Sequence, residues 1–338
     1  MNLLEERLEN FPKRKGDTYE RLQSIVDKRI ETTMIKSYEQ ARLEDELSVI
    51  KETNTASVFL FFYDTMYALK DVGAILHGVC HSSYLLYFLG LTKVNPFDYR
   101  LRFERYFHKN RRFLPFMYIA VQKGAKGKVI KYLKEQYGVD KIARMKDNEN
   151  EYILSSTSLL EIGEIEQTVL HADSNENVVW HEDISSLTSR EISQLNLYTL
   201  TIEEAEIGEY RRFSEEEIYQ KTLDCFTNAF RDFSKTERYQ GIEEAEEIFS
   251  STDGKFVYQE QFFEICTELI GANNRKADGF RKHICKENKQ EVEDIRTLFS
   301  WKLGGEGVAL FDYLNKEIKY AVCKAYVIGL LFLDLKEG

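Results

Sequence analysis

Proline is scarce in this sequence: Pro12, Pro96 and Pro115 are the three in 338 residues. No Gly/Ser-rich or Pro-rich stretch occurs either, so flexible linkers of the usual composition are excluded and any domains should pack directly on one another. The five cysteines, Cys80, Cys225, Cys266, Cys285 and Cys323, are odd in number and never fall in C-x-x-C spacing. That excludes a disulfide framework and points to free, buried thiols in a reducing compartment. A basic, apolar leader is missing, since the chain opens Met1-Asn2-Leu3-Leu4-Glu5-Glu6-Arg7. The longest apolar stretch, Tyr320 to Leu335, is interrupted by Lys324 and Asp334 and falls short of the about 20 residues that span a bilayer, so it reads as a buried terminal helix. A cytoplasmic protein without membrane contact is expected. No G-x-x-x-x-G-K-[ST], G-x-S-x-G or H-E-x-x-H occurs, which leaves the enzyme classes built on those motifs without support.

Packed-protein composition is present instead, with 43% hydrophobic and 13% aromatic residues. The formal net charge of −11 argues against nucleic acid only as a total. Residues 97 to 147 hold 14 Lys and Arg against 5 Asp and Glu, whereas residues 148 to 255 hold 8 against 25. This polarisation permits a basic surface for a phosphate backbone and an acidic stretch that faces basic partners or solvent.

Periodicity predicts helix over residues 17 to 52, with Leu43, Leu47 and Ile50 on one face, and again from about Ala56 to Lys70. Phe116 to Val121 reads as a buried strand, followed by a helix from Gly124 to Tyr137. From Thr201 onward nearly everything reads as helical, with a break at Asp253-Gly254 before a last helical block.

Several segments, taken in order, carry a resemblance. Tyr38 to Ile50 reads Y-E-Q-A-R-L-E-D-E-L-S-V-I; Leu91-Thr92, Asn95-Pro96 and Phe103-Glu104-Arg105 follow; then comes Tyr258-Gln259-Glu260-Gln261, and behind it Gly271, Ala277-Asp278, Arg281-Lys282 and Lys286. In this order the blocks resemble the C-family DNA polymerases, the family of the bacterial polymerase III alpha subunit, in its palm and the start of its fingers. The resemblance implies an α/β (α+β) protein: a polymerase-beta-like nucleotidyltransferase palm with a mixed sheet and flanking helices over residues 1–255, thumb largely absent, and an all-helical fingers-like remnant over 256–338. It also implies a truncated chain, because the family's N-terminal phosphoesterase domain has no room before residue 38.

Two-metal nucleotidyl transfer needs carboxylates on one strand face to hold magnesium. In the family these lie in P-D-x-D. Carried over from Pro115, the two positions are Phe116 and Tyr118, and the third acidic position falls at Ser193. Phenylalanine offers no oxygen, and a tyrosine phenol titrates at about 10, so hard oxygen ligands are missing at these sites. The expectation is a catalytically inactive protein, not an enzyme, with no metal and no cofactor, acting in DNA replication by binding or regulation. The alternative is an active DNA-directed nucleotidyltransferase with an unusual carboxylate set.

The resemblance makes Gly78, in the segment matching a phosphate turn, and Arg105, Arg111, Arg281 and Lys282 the candidates for phosphate or DNA contact. Gln194, Leu195, Leu197 and Tyr198 are close to the Q-L-x-L-F peptide of sliding-clamp binders, which makes the clamp or another replisome protein a candidate partner beside DNA. His77, Cys80 and His81 crowd together without a second Cys/His pair, so no zinc site is expected.

Overall fold

The computed structural model describes residues 3–144, 150–156, 198–207, 210–227 and 232–333. After α1 (Leu3–Glu9), helix α2 (Tyr19–Ile30) starts where the Thr18 hydroxyl accepts from the Arg21 amide. Helix α3 (Ser37–Glu52) is separate, so the single helix expected over 17 to 52 is corrected to two. The restart is local chemistry: the Glu39 carboxylate turns back to accept from the Lys36 amide at 2.7 Å. Leu43, Leu47 and Ile50 face the core as their spacing predicts.

Helix α4 (Ala56–Ala68) buries Val58 through Phe62 consecutively, which requires neighbours on every side. It packs on α2, and Phe61 meets Tyr198 edge to face at 6.4 Å. The sheet comprises β1 (Ile75–Leu76), β2 (Met117–Gln122), β3 (Ile142–Arg144), β4 (Glu151–Leu154) and β5 (Tyr198–Ala205), in the order β1-β2-β5-β4-β3. Strands β2 and β5 are parallel, and every other pairing is antiparallel. This mixed sheet with flanking helices is the α+β architecture expected.

Two short helices, α5 (Tyr84–Phe88) and α6 (Phe103–Tyr106), lie between β1 and β2. Helix α7 (Lys126–Tyr137) then buries Val129, Leu133 and Tyr137, one stripe of its surface. Its first turn is held by Glu204 of β5, which accepts from the amides of Gly124 and Lys126. Residues 201–205 therefore belong to a strand, not to the helical region expected from Thr201 onward. Tyr198, Leu200 and Ile202 point into the core at the two-residue period of a sheet.

The remainder is helical: α8 (Glu215–Phe226), α9 (Glu243–Phe249), α10 (Gln259–Glu264), α11 (Asn274–Cys285), α12 (Lys289–Glu317) and α13 (Lys324–Leu333). The expected break is present, with Asp253 and Gly254 both at positive φ, and α12 kinks at Gly304. These helices enclose a second core around Phe249, Phe256, Phe262, Phe299 and Phe311. Helix α13 returns to the sheet domain: a Cβ on Gly329 would stand 2.9 Å from the Gly78 amide nitrogen, so glycine is what lets the helix approach. Of the thiols, Cys80 and Cys266 are buried as expected, whereas Cys225 is exposed. Among the described residues no helix is long and apolar enough to cross a membrane.

One buried charge locks α3 to α5. Glu46 is fully enclosed and accepts from Arg42 Nε at 2.7 Å, the Ser83 hydroxyl at 2.7 Å, and the amides of Tyr84 at 2.8 Å and Leu85 at 3.0 Å. Removing it strands four donors, one of them cationic. Glu46→Ala should lower the unfolding free energy by about 3–5 kcal/mol in urea denaturation. A loss below about 1 kcal/mol, the scale of an exposed pair, would show that the buried acceptor is dispensable.

Candidate functional site

The charged residues converge where the sheet domain meets the helical region. Short helix α6 and the turn behind it bring Arg105, His108 and Arg111 to one place. Helix α11, capped by the Asn273 side chain accepting from the Lys276 amide, presents Asp278, Arg281 and Lys282 at i, i+3 and i+4. Asp278 has no exposed surface. It accepts from Arg281 Nη2 at 3.1 Å and from Lys282 Nζ at 2.5 Å, with Arg105 Nη1 at 3.5 Å and His108 Nε2 at 3.1 Å.

His108 Nδ1 accepts from the Asn110 amide at 3.2 Å, so the neutral ring carries its proton on Nε2 and donates it to Asp278. Burial pushes the Asp278 carboxyl up, but the His108 bond and the charges of Arg281 and Lys282 outweigh it and hold the group well below the usual carboxylate range. Positive charge remains in excess. Arg105, Arg111, Arg281 and Lys282 surround this one carboxylate, and Glu260 adds a second negative charge within electrostatic range of Arg105. Burial pulls the Arg111 guanidinium down to about 10, and the Nε atoms of Arg105 and Arg111 have no hydrogen-bond partner. Crowded, partly desolvated guanidinium groups are stabilised by an anion, phosphate above all.

The strand face at which the resembled family carries its metal-binding carboxylates bears aromatic side chains here. Phe116 is 45% exposed and stacks on Phe113 at 6.5 Å, while Tyr118 is half-buried with its phenol pushed up by burial. Gly78 lies buried beneath α13, with Gly329 against its backbone and Tyr326 beside it, so it is closed to a phosphate. Among the described residues no group of three or more His, Cys, Asp or Glu side chains is placed to hold a metal ion. The residues at 116 and 118 therefore do not fit the magnesium pair that nucleotidyl transfer uses. Two carboxylates do share that face: Glu203 pairs in register with Ala120, and Glu151 lies across from Thr201.

A sequence model described as "Bacterial DNA polymerase III alpha NTPase domain" matches residues 17–152, and one described as "Bacterial DNA polymerase III alpha subunit finger domain" matches residues 224–304. The chain resembles the bacterial DNA polymerase III alpha subunit. DNA polymerase III subunit alpha of Mycoplasma genitalium is 36% identical over 114 residues, covering 32% of this chain and 13% of that protein. The Campylobacter jejuni protein of the same name is 30% identical over 119 residues, covering 34% and 10%. An error-prone DNA polymerase of Burkholderia mallei is 36% identical over 104 residues, covering 30% and 10%. The matched region thus spans about a tenth of each relative's length.

These matches correct the expectation that the chain is not an enzyme. The relatives carry the names of polymerases, and the first family match runs through Phe116 and Tyr118, so the residues at these two positions do not by themselves show the chain to be inactive. Ser193, the third position, lies outside the described residues, as do Gln194, Leu195 and Leu197 of the clamp-like peptide. Its last residue, Tyr198, is 4% exposed and donates its hydroxyl proton to the Pro115 carbonyl, so it is a core residue of β5 and not an anchor open to a groove. The basic stretch is divided: Arg100 pairs with Glu264 and Lys123 with Glu206, while Arg105 and Arg111 join the cluster.

Sequence reasoning singled out the cations but missed Asp278, although it stood in the matched Ala277-Asp278 pair, and it missed His108, which carries no motif. Beneath α13 a further titratable pair is shut away. His77 and His81 are buried, their four ring nitrogens have no partner, and burial pulls them down to about 4 and about 3. With folded values below unfolded ones, the unfolded chain binds more protons, so stability is full above pH about 6.5 and falls as pH drops. Unfolding free energy should fall between pH 6.5 and 5 by up to about 1.4 kcal/mol per pH unit for each histidine. In a His77→Gln/His81→Gln protein the slope over that window should flatten; an unchanged slope would assign the acid sensitivity elsewhere.

Proposed function

We propose that this chain acts in DNA replication by binding the phosphates of DNA or nucleotide where palm and fingers meet, through Arg105, Arg111, Arg281 and Lys282. The observation that carries this is the surplus of half-buried cations around one buried carboxylate. A charge excess of this kind is unfavourable for folding alone and favourable for holding a polyanion. The polymerase names of the relatives supply the replication context, and the segments that build the cluster, residues 105–111 and 278–282, fall within the two family matches.

A second reading, DNA-directed nucleotidyl transfer with an unusual carboxylate set, is favoured by Glu151 and Glu203 standing on the same sheet face as Tyr118. The two are diagonal neighbours across β4 and β5, a separation of about 7–8 Å between such positions. Both carboxylates are already partnerless with respect to arginine or lysine among the described ion pairs.

Arg281→Gln/Lys282→Gln should weaken binding of a primer–template duplex and reduce the slope of log affinity against log salt by about 1.8, the value for two phosphate contacts. The thermal midpoint serves as the folding control. An unchanged slope and affinity would remove the proposal. Primer extension on the same duplex decides the second reading: template-directed product lost in Glu203→Gln supports it, and no product from the wild type removes it.

A further inference from the structure

A groove of about 590 Å³ opens on the sheet domain among α2, α4, β1 and the turn behind α5, and none of the residues surrounding Asp278 lines it. Every charged residue in its lining is basic: Lys28, Arg29, Lys70 and Lys93. All four are exposed, and none makes an ion pair with a described residue. In a chain of net charge −11, four cations lining one groove without a carboxylate among them form a local inversion of sign.

The floor is apolar, from Ile75, Leu89 and Leu91, each 6–7% exposed. Along one wall Tyr63 and Tyr67 stack nearly parallel, with centroids 6.1 Å apart and planes 17° apart, and Tyr67 is 62% exposed. Lys70 Nζ stands 5.1 Å from the Tyr67 ring centre. At the opposite wall Gly90 adopts positive φ, and a Cβ there would come within 3.7 Å of the Arg29 guanidinium. Glycine is what accommodates this left-handed turn beside Arg29.

Aromatic faces for bases, interleaved with cations for phosphates and backed by an apolar floor, are the chemistry of single-strand recognition. The cations come from three separate segments of the chain, α2, the turn after α4 and the turn after α5, so they can meet successive phosphates of a strand. From this geometry we infer that the groove binds single-stranded DNA, a few nucleotides at a time, at a site separate from the palm–fingers cluster.

Binding of fluorescein-labelled oligo(dT) to the full chain, followed by anisotropy across a salt series, tests this. Lys70→Glu/Lys93→Glu should reduce the salt slope by about 1.4, the single-strand value for two phosphates, while Lys302→Glu on α12 leaves it unchanged. Tyr67→Ala should weaken binding about tenfold through the lost stack, with the thermal midpoint held. An iodouracil-substituted strand should crosslink to the peptide containing Tyr63 and Tyr67. Equal slopes in wild type and the lysine variant would overturn the inference. So would competition by dTMP as strong as by oligo(dT), which would make this a mononucleotide pocket, or equal competition by polyglutamate, which would reduce it to charge attraction alone.

Discussion

A single enclosed carboxylate balances the charge on which the meeting of the two halves depends. Asp278 sits on α11 with no exposed surface, and the groups that satisfy it come from both sides: Arg105 and His108 from the sheet domain, Arg281 and Lys282 from its own helix. Burying a carboxylate is tolerable only with such partners, and burying so many cations is tolerable only with such a carboxylate. The arrangement therefore fixes α11 against α6 and at the same time leaves it over-supplied with positive charge. Rigidity comes from the pairing, and the proposed affinity for anions from the imbalance.

A second joint runs through α13. Gly329 lies on the backbone of Gly78, Tyr326 lies beside Tyr118, and Phe332 packs with Ile75 and Ala120. The strand face that would hold metal-binding carboxylates is thus covered by apolar and aromatic groups, while the cationic cluster keeps Lys282 partly open to solvent. Among the described residues no group of three or more His, Cys, Asp or Glu side chains is placed to hold a metal ion on this face. This gives the phosphate-binding proposal its shape: the cluster needs nothing from positions 116 and 118 to hold a polyanion.

How much of this was legible beforehand depends on the range over which each signal acts. The strand at Met117–Gln122 was visible because branched and aromatic residues run together after Pro115, and α7 because Val129, Leu133 and Tyr137 repeat at helical spacing. The break between α2 and α3 was hidden, since no Pro or Gly marks residues 31–36 and the cap is a carboxylate that could equally sit inside a helix. Strand β5 was misread because Glu203 and Glu204 look like helix surface; in the fold one faces the covered side of the sheet and the other caps α7. The cations of the candidate site were found through motif order, but Asp278 as their hub was not, because the partners that tie it to the sheet domain, Arg105 and His108, lie about 170 positions away in the chain. Long-range pairing leaves no periodicity to read.

Asp278 offers the most direct test. Asp278→Asn keeps the size of the side chain and removes the charge that the surrounding cations share, so the thermal midpoint should drop, and millimolar inorganic tripolyphosphate should restore much of it, raising the midpoint more in the variant than in the wild type. A drop that tripolyphosphate leaves untouched, with no shift in the wild type either, would contradict the proposal that the cluster around Asp278 is an anion site.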